Sequence, residues 1–147
     1  EELKHEFTNF EINWIDLSPS LKEFICNTYL PKNTKQVYTA NLANYSRFFI
    51  PNLVPDIDKG LYIDTDLLCY GDIAELYNQD LDGNIIGAVA DSFVMTDKSA
   101  FEKVYKYISK QHLYFNAGVM LIDCKKWREN KISEKIAKCD SEIRDIM

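Results

Sequence analysis

The amino-acid sequence predicts an α/β domain in which a mainly parallel sheet is flanked by helices. Short apolar runs bounded by turn residues indicate buried strands at Leu61–Ile63, Asn84–Val89 and Gly118–Ile122. Segments with helical spacing of apolar residues alternate with these runs, and that alternation is typical of parallel sheets covered by helices. The chain has 147 residues and is 46% hydrophobic, which is enough for one domain with a substantial core.

The first elements are predicted to be a strand and a helix. Alternating apolar and polar residues indicate a half-buried strand at Phe10–Trp14. Ser18 can cap the helix because serine is a favoured N-cap residue, and Pro19 suits its first turn. Ser20 and Glu23 offer another start, as the two ends of a capping box.

A second helix is predicted at Leu42–Ile50, with Asn41 as its cap. The helix should end before Pro51, because a residue that precedes proline avoids the helical region. Most of its side chains are apolar, so we expect it to be well buried. Arg47 is the exception. It could extend to the surface, pair with a carboxylate or bind an anionic ligand.

Four more helices are predicted along the rest of the chain. Asp72 and Glu75 form a capping box for a helix with a buried apolar stripe. That stripe consists of Ile73, Leu76 and Tyr77. A further helix is expected at Ala100–Ile108, and Asp123 caps one that contains Trp127. The C-terminal segment is predicted to be amphipathic because apolar residues recur at helical spacing. These residues are Ile132, Ile136, Cys139 and Ile143.

The chain contains several Asp-x-Asp triplets, of which one follows a predicted buried strand. Asp56–Asp58 and Asp80–Asp82 lie beside proline or glycine, so we expect both to be solvated turns. A calcium loop that starts at Asp56 is excluded because its sixth position is leucine instead of glycine. Asp64 and Asp66 come directly after the first buried strand, at the edge where open α/β sheets bind ligands.

The spacing of Asp64 and Asp66 suits a divalent cation. Side chains alternate along a strand, so the two carboxylates point the same way. Like charges on one face repel each other unless a cation lies between them or water solvates both. Mg²⁺ and Mn²⁺ prefer oxygen ligands and usually take one or two carboxylates together with phosphate oxygens. Position alone therefore leaves a metal site and a solvated strand end as equal alternatives.

Composition and charge exclude several classes of protein. The chain has 17 Lys and Arg against 23 Asp and Glu, and its net charge of -6 argues against a nucleic-acid-binding surface. No apolar run approaches the length of a membrane span, and the N-terminus does not look like a signal peptide. The four cysteines are scattered, so we expect reduced thiols in a cytoplasmic protein. His5 and His112 form no ligand-spaced pair with them, which argues against zinc.

Four stretches in register resemble the family 8 glycosyltransferases, which are retaining, nucleotide-sugar-dependent enzymes. They are Tyr45–Pro51, Leu61–Asp72, Asn84–Asp91 and Tyr114–Asp123, and the last continues into Lys125–Arg128. The resemblance implies a GT-A fold, the Rossmann-like architecture of nucleotide-diphospho-sugar transferases. It also implies a UDP-sugar donor and a cation, Mn²⁺ or Mg²⁺, bound by the two carboxylates after the first buried strand.

The resemblance also suggests which residues contact the ligands. Asp64 and Asp66 would bind the cation together with the donor pyrophosphate. Residues of the donor-sugar pocket would be Arg47, Asp64, Asp91, Asn116 and Ala117. From the residues alone, Asn116 is also explained as a turn residue before Gly118, and Asp91 as a solvated strand-end aspartate. Gly118 is expected where the backbone approaches a neighbour closely.

The activity implied by the resemblance is transfer of a hexose to a glycan acceptor such as lipopolysaccharide. The expected location is the cytoplasm, with peripheral contact at the inner face of the membrane. Family members carry a base-binding strand before this region, and an Asp-Gln-Asp-like segment and a metal-binding histidine after it. Residues 1–147 are therefore expected to form one partial catalytic domain that is inactive alone.

Two other functions remain open from the sequence. A strand that ends in Asp-x-Asp also occurs in haloacid-dehalogenase-like phosphohydrolases, where the first aspartate is the nucleophile. Those enzymes have residues such as glycine and threonine after the second aspartate, whereas this chain has Leu67 and Leu68. The second alternative is a non-catalytic relic or sugar-binding fragment of the glycosyltransferase fold.

Overall fold

The computed structural model describes residues 10–29, 42, 44–106, 109 and 113–144. Its strands are β1 (Lys59–Ile63), β2 (Ile86–Ala90) and β3 (Phe115–Asp123). Its helices are α1 (Pro19–Tyr29), a 3-10 helix (Arg47–Phe49), α2 (Ile50–Leu53), α3 (Ile73–Tyr77), α4 (Ser92–Thr96), α5 (Lys98–Val104), α6 (Cys124–Glu129) and α7 (Ile132–Arg144). His5, Asn41, His112 and the side chain of Ile143 lie outside the described residues.

The sheet is antiparallel, so the predicted parallel arrangement is wrong for the described strands. β3 lies in the centre of the order β1-β3-β2 and pairs antiparallel with both neighbours. β1 and β2 therefore run parallel to each other without being adjacent. Alternation of helices and strands does not fix strand direction here, because the connection from β2 to β3 carries two helices and returns the chain antiparallel.

The segment predicted as the first strand is irregular. Residues 10–17 belong to no helix or strand, so the strand prediction for Phe10–Trp14 is wrong. Trp14 is 88% exposed, although the alternating pattern assigned it to a half-buried surface. Such a pattern forms a strand only when a neighbouring strand pairs with it, and no described strand pairs with these residues.

Side-chain caps determine where most of the described helices start. The Ser18 hydroxyl accepts a hydrogen bond from the backbone N–H of Leu21 at 3.2 Å, which favours the Ser18 start over the Ser20 alternative. Four aspartates cap later helices by accepting backbone N–H groups at distances between 2.8 and 3.0 Å. They are Asp72, Asp91, Asp97 and Asp123. The caps predicted at Asp72 and Asp123 are thereby confirmed.

The helical segment predicted to end before Pro51 continues beyond it. The 3-10 helix at Arg47–Phe49 leads directly into α2, and Pro51 lies in the first turn of α2. A proline is tolerated there because the first N–H groups of a helix have no partner within that helix. Pro51 is also fully buried, so its ring contributes to the core.

Two further elements differ from the predictions. The apolar stripe of α3 is exposed, with each of its three side chains between 40% and 44% accessible. α3 is five residues long and makes little contact with the other described elements, so its apolar side chains stay exposed. The helix predicted at Ala100–Ile108 begins at Lys98 and ends at Val104, because Asp97 caps it earlier.

The core consists of two clusters that meet at the 3-10 helix. One cluster joins β3 to α6 and the other joins α1 to the 3-10 helix. Their buried members are Met120, Ile122, Cys124 and Trp127 in the first, and Ile25, Tyr29 and Phe49 in the second. Phe48 packs against both clusters. Arg47, its neighbour in the sequence, is therefore held in a fixed place beside the sheet.

The cysteines are free thiols, as predicted. They are Cys26, Cys69, Cys124 and Cys139. Burial raises the pKa of the Cys124 thiol, so this side chain stays protonated and serves as a small apolar residue of the core. Among the described helices, none combines the length and the apolar character that a bilayer crossing needs.

Replacing Ser133 with alanine is expected to destabilise the protein by about 1–3 kcal/mol. The Ser133 hydroxyl is buried, accepts from Trp127 Nε1 at 2.9 Å and donates to Phe48 O at 2.6 Å. The substitution leaves the buried Trp127 Nε1–H without this partner and removes the bond to Phe48 O. Denaturant unfolding would measure the loss, and Ser99→Ala on the exposed side of α5 should change the free energy of unfolding by less than about 0.5 kcal/mol. Equal stability of the two variants would contradict the proposed role of this hydroxyl.

Candidate active site

The two carboxylates predicted to bind a metal follow the end of β1. Asp64 is half-buried and Asp66 is exposed. The backbone N–H of Asp64 donates to Gly118 O at 2.8 Å, which extends the pairing of β1 with β3 by one residue. A cavity of about 340 Å³ lies beside them. Its lining consists of Asn44, Arg47, Tyr62, Ile63, Asp64, Thr65 and Asp66.

Arg47 reaches into this cavity from the 3-10 helix and pairs with the first carboxylate. Its Nη2 lies 3.3 Å from Asp64 Oδ1, and its Nη1 donates to Ala117 O at 2.9 Å. Its Nε donates to Asn44 O at 2.8 Å, and the side chain is only 12% exposed. The guanidinium is thus held from three directions. Of the interpretations left open by the sequence, pairing with a carboxylate is observed.

Tyr62 is a member of the site that the sequence analysis missed. Its hydroxyl donates a hydrogen bond to Asp64 Oδ1, and its ring lies 5.1 Å from the guanidinium carbon of Arg47. Burial, together with the hydrogen bond to Asp64, raises the pKa of Tyr62 to about 12, so the phenol remains protonated and donates. Strand alternation places Tyr62 on the same side as Asp64, and this signal could have identified it.

A bulge in β3 carries the next predicted residues. Ala88 of β2 lies opposite Met120 of β3, whereas the next residue, Val89, lies opposite Asn116. The intervening residues of β3 have no partner on β2, and bulges of this kind re-aim side chains beside functional sites. Here the bulge places Asn116 Oδ1 at 2.8 Å from the backbone N–H of Gly118, which donates to it.

Asp91 faces Asn116 across the bulge. Its Oδ1 accepts from the backbone N–H of Val94 at 3.0 Å and so caps α4. Its Oδ2 accepts from Asn116 Nδ2 at 3.4 Å, which is a long contact at an exposed position. One carboxylate oxygen therefore has a structural role, while the other is available beside the asparagine.

Gly118 lies between the carboxylate of Asp64 and the side chain of Asn116. A Cβ atom at this position would lie 2.9 Å from both Asp64 Oδ2 and Asn116 Oδ1, so the predicted close approach is confirmed. Contacts run from Arg47 through Asp64 and Gly118 to Asn116, and on to Asp91. The structure therefore brings together the predicted donor-sugar residues, with Ala117 included through its carbonyl. The second predicted metal ligand, Asp66, lines the same cavity as Asp64.

The donor set of the cavity suits a hard divalent cation. Among the described residues, no three His, Cys, Asp or Glu side chains lie close enough together to hold a metal by themselves. Mg²⁺ and Mn²⁺ do not require three such ligands, because they commonly take one or two carboxylates and fill the other positions with phosphate and water oxygens. Asp64 and Asp66 offer such a pair. The other triplets lie in exposed turns, as predicted.

Comparison with known proteins identifies the family. The model of "Glycosyl transferase family 8" matches residues 3–146. The chain belongs to glycosyltransferase family 8. A similar solved structure is that of the galactosyltransferase LgtC in complex with donor and acceptor sugar analogs. Its sequence is 30% identical to that of this chain, and the two structures superimpose with a TM-score of 0.69. The match covers 86% of this chain and 43% of that one, and the shared architecture is the predicted GT-A fold.

Two curated relatives of this family 8 chain are named as glycosyltransferases. The lipopolysaccharide 1,2-glucosyltransferase of Escherichia coli K12 is 36% identical over 94 residues, which are 63% of this chain and 27% of that protein. Glycosyltransferase GlyF of Streptococcus pneumoniae serotype 4 is 34% identical over 107 residues, or 73% of this chain and 23% of that protein. The chain therefore spans less than half the length of the relatives described here.

Proposed function

We propose that the protein is a metal-dependent, retaining glycosyltransferase that moves a hexose from a UDP-sugar to a glycan acceptor. The observation that carries this proposal is the cavity at the end of β1, where Asp64, Asp66 and Arg47 meet in a family 8 chain. Two related proteins support it. One relative is named a lipopolysaccharide glucosyltransferase, and a related structure holds donor and acceptor sugar analogs.

The arrangement suits loss of a pyrophosphate leaving group. A cation bound by Asp64 and Asp66 would neutralise the charge that develops on the pyrophosphate as the glycosidic bond breaks. Arg47 keeps its planar, permanently charged group beside the same carboxylate. The Tyr62 hydroxyl donates to Asp64 Oδ1 and so helps to fix the orientation of this carboxylate.

The far side of the bulge suits recognition of sugar hydroxyl groups. Asn116 Nδ2 makes only a long contact with Asp91, so the amide can also donate to a ligand. Asp91 Oδ2 can accept from a hydroxyl while Oδ1 continues to cap α4. The carbonyl of Ala117 is already bound by Arg47, so Ala117 would contribute to the pocket wall through its backbone position.

The proposed acceptor is a bacterial surface glycan such as lipopolysaccharide, and the proposed location is the cytoplasm, at the inner face of the membrane. The E. coli relative supports the acceptor class by its name. The free thiols of the chain agree with a reducing compartment. Cell fractionation and analysis of the glycan in a deletion strain would test these two assignments.

Hydrolysis of candidate donors with and without Mn²⁺ tests the proposal in the intact protein. A transferase should turn over a nucleotide sugar only when the cation is present. A haloacid-dehalogenase-like phosphohydrolase would instead cleave a simple phosphate ester, and a non-catalytic relic would cleave neither compound. Either of these two results would overturn the proposed function.

Replacing Arg47 with lysine is expected to lower kcat about tenfold while Mn²⁺ affinity stays near that of the wild type. Lysine keeps the charge beside Asp64 but loses the planar fork that also reaches Ala117 O. Steady-state kinetics and a Mn²⁺ titration would measure the two quantities separately. Arg128→Lys is a matched control, because Arg128 binds the carbonyls of Pro51 and Ile57 outside the cavity and should affect stability instead. A large loss of Mn²⁺ binding in Arg47→Lys would contradict a role at the donor sugar.

A further inference from the structure

The two oxygens of the Asp64 carboxylate have different surroundings. Oδ1 accepts from the Tyr62 hydroxyl and also lies 3.3 Å from Arg47 Nη2. Among the described residues, no hydrogen-bond donor reaches Oδ2. Oδ2 lies against Gly118, where a Cβ would come within 2.9 Å of it. The carboxylate therefore presents one fully engaged oxygen and one oxygen with its lone pairs available.

The contacts of the Tyr62 ring hold its hydroxyl in one place. It is the last residue but one of β1 and lies opposite Met120 of β3, and its ring packs against the core cluster at β3 and α6. The Arg47 guanidinium covers one face of the Tyr62 ring, with its carbon 5.1 Å from the ring centroid. A side chain fixed on both sides loses little further freedom when its hydroxyl binds Asp64.

The position of Arg47 explains why such a restraint is useful. A carboxylate beside an arginine favours a bidentate pair, in which two N–H groups bind its two oxygens. The observed pair uses one nitrogen of Arg47 and one oxygen of Asp64. Rotation of the carboxylate toward the guanidinium would bring Oδ2 into the ion pair, and its lone pairs would then be less available to a cation. The Tyr62 hydroxyl opposes that rotation because it binds Oδ1.

We infer that Tyr62 is a positioning residue of the metal site, which holds Asp64 through Oδ1 and so keeps Oδ2 directed to a divalent cation. This inference rests on the proposed function, since it concerns the cation that Asp64 and Asp66 would bind. It assigns Tyr62 a task separate from the chemistry of transfer. Partners that orient a metal ligand in this way typically contribute 10- to 100-fold to metal affinity, so an effect of about that size is expected.

The test compares Mn²⁺ binding by the intact wild-type protein and by Tyr62→Phe in the presence of UDP. Phenylalanine keeps the ring that packs on the core and beneath Arg47 but removes the hydroxyl. Electron paramagnetic resonance of free Mn²⁺ gives the affinity without any turnover. Tyr77→Phe is the matched control, because its hydroxyl donates to Lys59 O at 3.2 Å at the other end of β1.

The expected result is Mn²⁺ affinity lowered about 10- to 100-fold in Tyr62→Phe and unchanged in Tyr77→Phe. The melting temperatures of the wild type and Tyr62→Phe should agree closely, so that the loss is not one of folding. If the wild type binds Mn²⁺ with UDP and Tyr62→Phe binds it equally well, the inference is wrong while the proposed function stands. If the wild type itself shows no Mn²⁺ binding with UDP, both are wrong.

Discussion

Asp64→Asn is expected to reduce metal-dependent turnover about a hundredfold to a thousandfold, since a cation at a developing negative charge is worth several kcal/mol and 1.36 kcal/mol corresponds to a factor of ten. The structure explains why an isosteric amide should fail. The donors of Tyr62 and Arg47 both reach Oδ1, so the asparagine oxygen would take that position. Its NH₂ group would then occupy the place of Oδ2 and point hydrogens at the cation.

Asp66→Asn should have an effect of similar kind, because Asp66 lines the same cavity. Donor hydrolysis and transfer, each measured over a range of Mn²⁺ concentrations, would give both the affinity and the turnover. Asp82→Asn is the matched control. Asp82 lies in an exposed turn with φ 48°, a conformation that asparagine tolerates. Asp58 is less suitable because it lies 3.5 Å from Arg128. Wild-type activity in Asp64→Asn or Asp66→Asn would contradict the proposal that these two carboxylates bind the cation.

The parts of the site that follow from local sequence were predictable. An apolar run that leads into Asp64 and Asp66 specifies a strand and two carboxylates after its end. Strand alternation was expected to align the two carboxylates, but β1 ends at Ile63 and Asp66 lies in a turn, so the alternation does not extend to Asp66. The same alternation reaches back to Tyr62, whose role was not recognised because tyrosine in a strand is ordinarily a packing residue. The close approach at Gly118 was also expected, since glycine inside a strand often marks such a place.

The contacts between distant segments were not predictable from patterns. Arg47 Nη1 binds a carbonyl that lies 70 positions further along the chain. Ala117 lies in β3, which runs antiparallel to β1, whereas helix–strand alternation had suggested a parallel sheet. The bulge that turns Asn116 back onto Gly118 depends on how β2 and β3 fit together. Periodicity within one segment carries no information about such a register shift.

Exposure of predicted core residues has a similar physical origin. An amphipathic pattern states which side of an element can be buried, and a packed neighbour is needed to bury it. Trp14 belongs to no described helix or strand, and α3 has only limited contacts, such as that of the Tyr77 hydroxyl with Lys59 O of β1, so these side chains remain exposed. The aspartate caps were easier to predict, because a cap uses only the backbone of the helix that it starts.

Gly118→Ala is expected to lower kcat/KM about a hundredfold while the protein remains folded, because a displacement of about 1 Å at a reacting centre can have an effect of that size. The added methyl group would lie 2.9 Å from Asp64 Oδ2 and Asn116 Oδ1, closer than side-chain carbons approach such atoms. Both oxygens are at the ends of side chains, so they can move aside at small cost in stability. Their movement displaces the proposed metal ligand and the proposed sugar ligand together.

Gly71→Ala provides the matched control for this substitution. Gly71 lies in the segment that follows the two carboxylates, and a Cβ there would meet nothing within 4 Å. Neither glycine has a positive φ, so backbone strain does not distinguish the two variants. Thermal unfolding should show both variants folded, and kinetics should show a loss only in Gly118→Ala. If Gly118→Ala keeps wild-type kcat/KM, Asp64 and Asn116 do not need their observed positions, and the site proposed around this bulge is wrong.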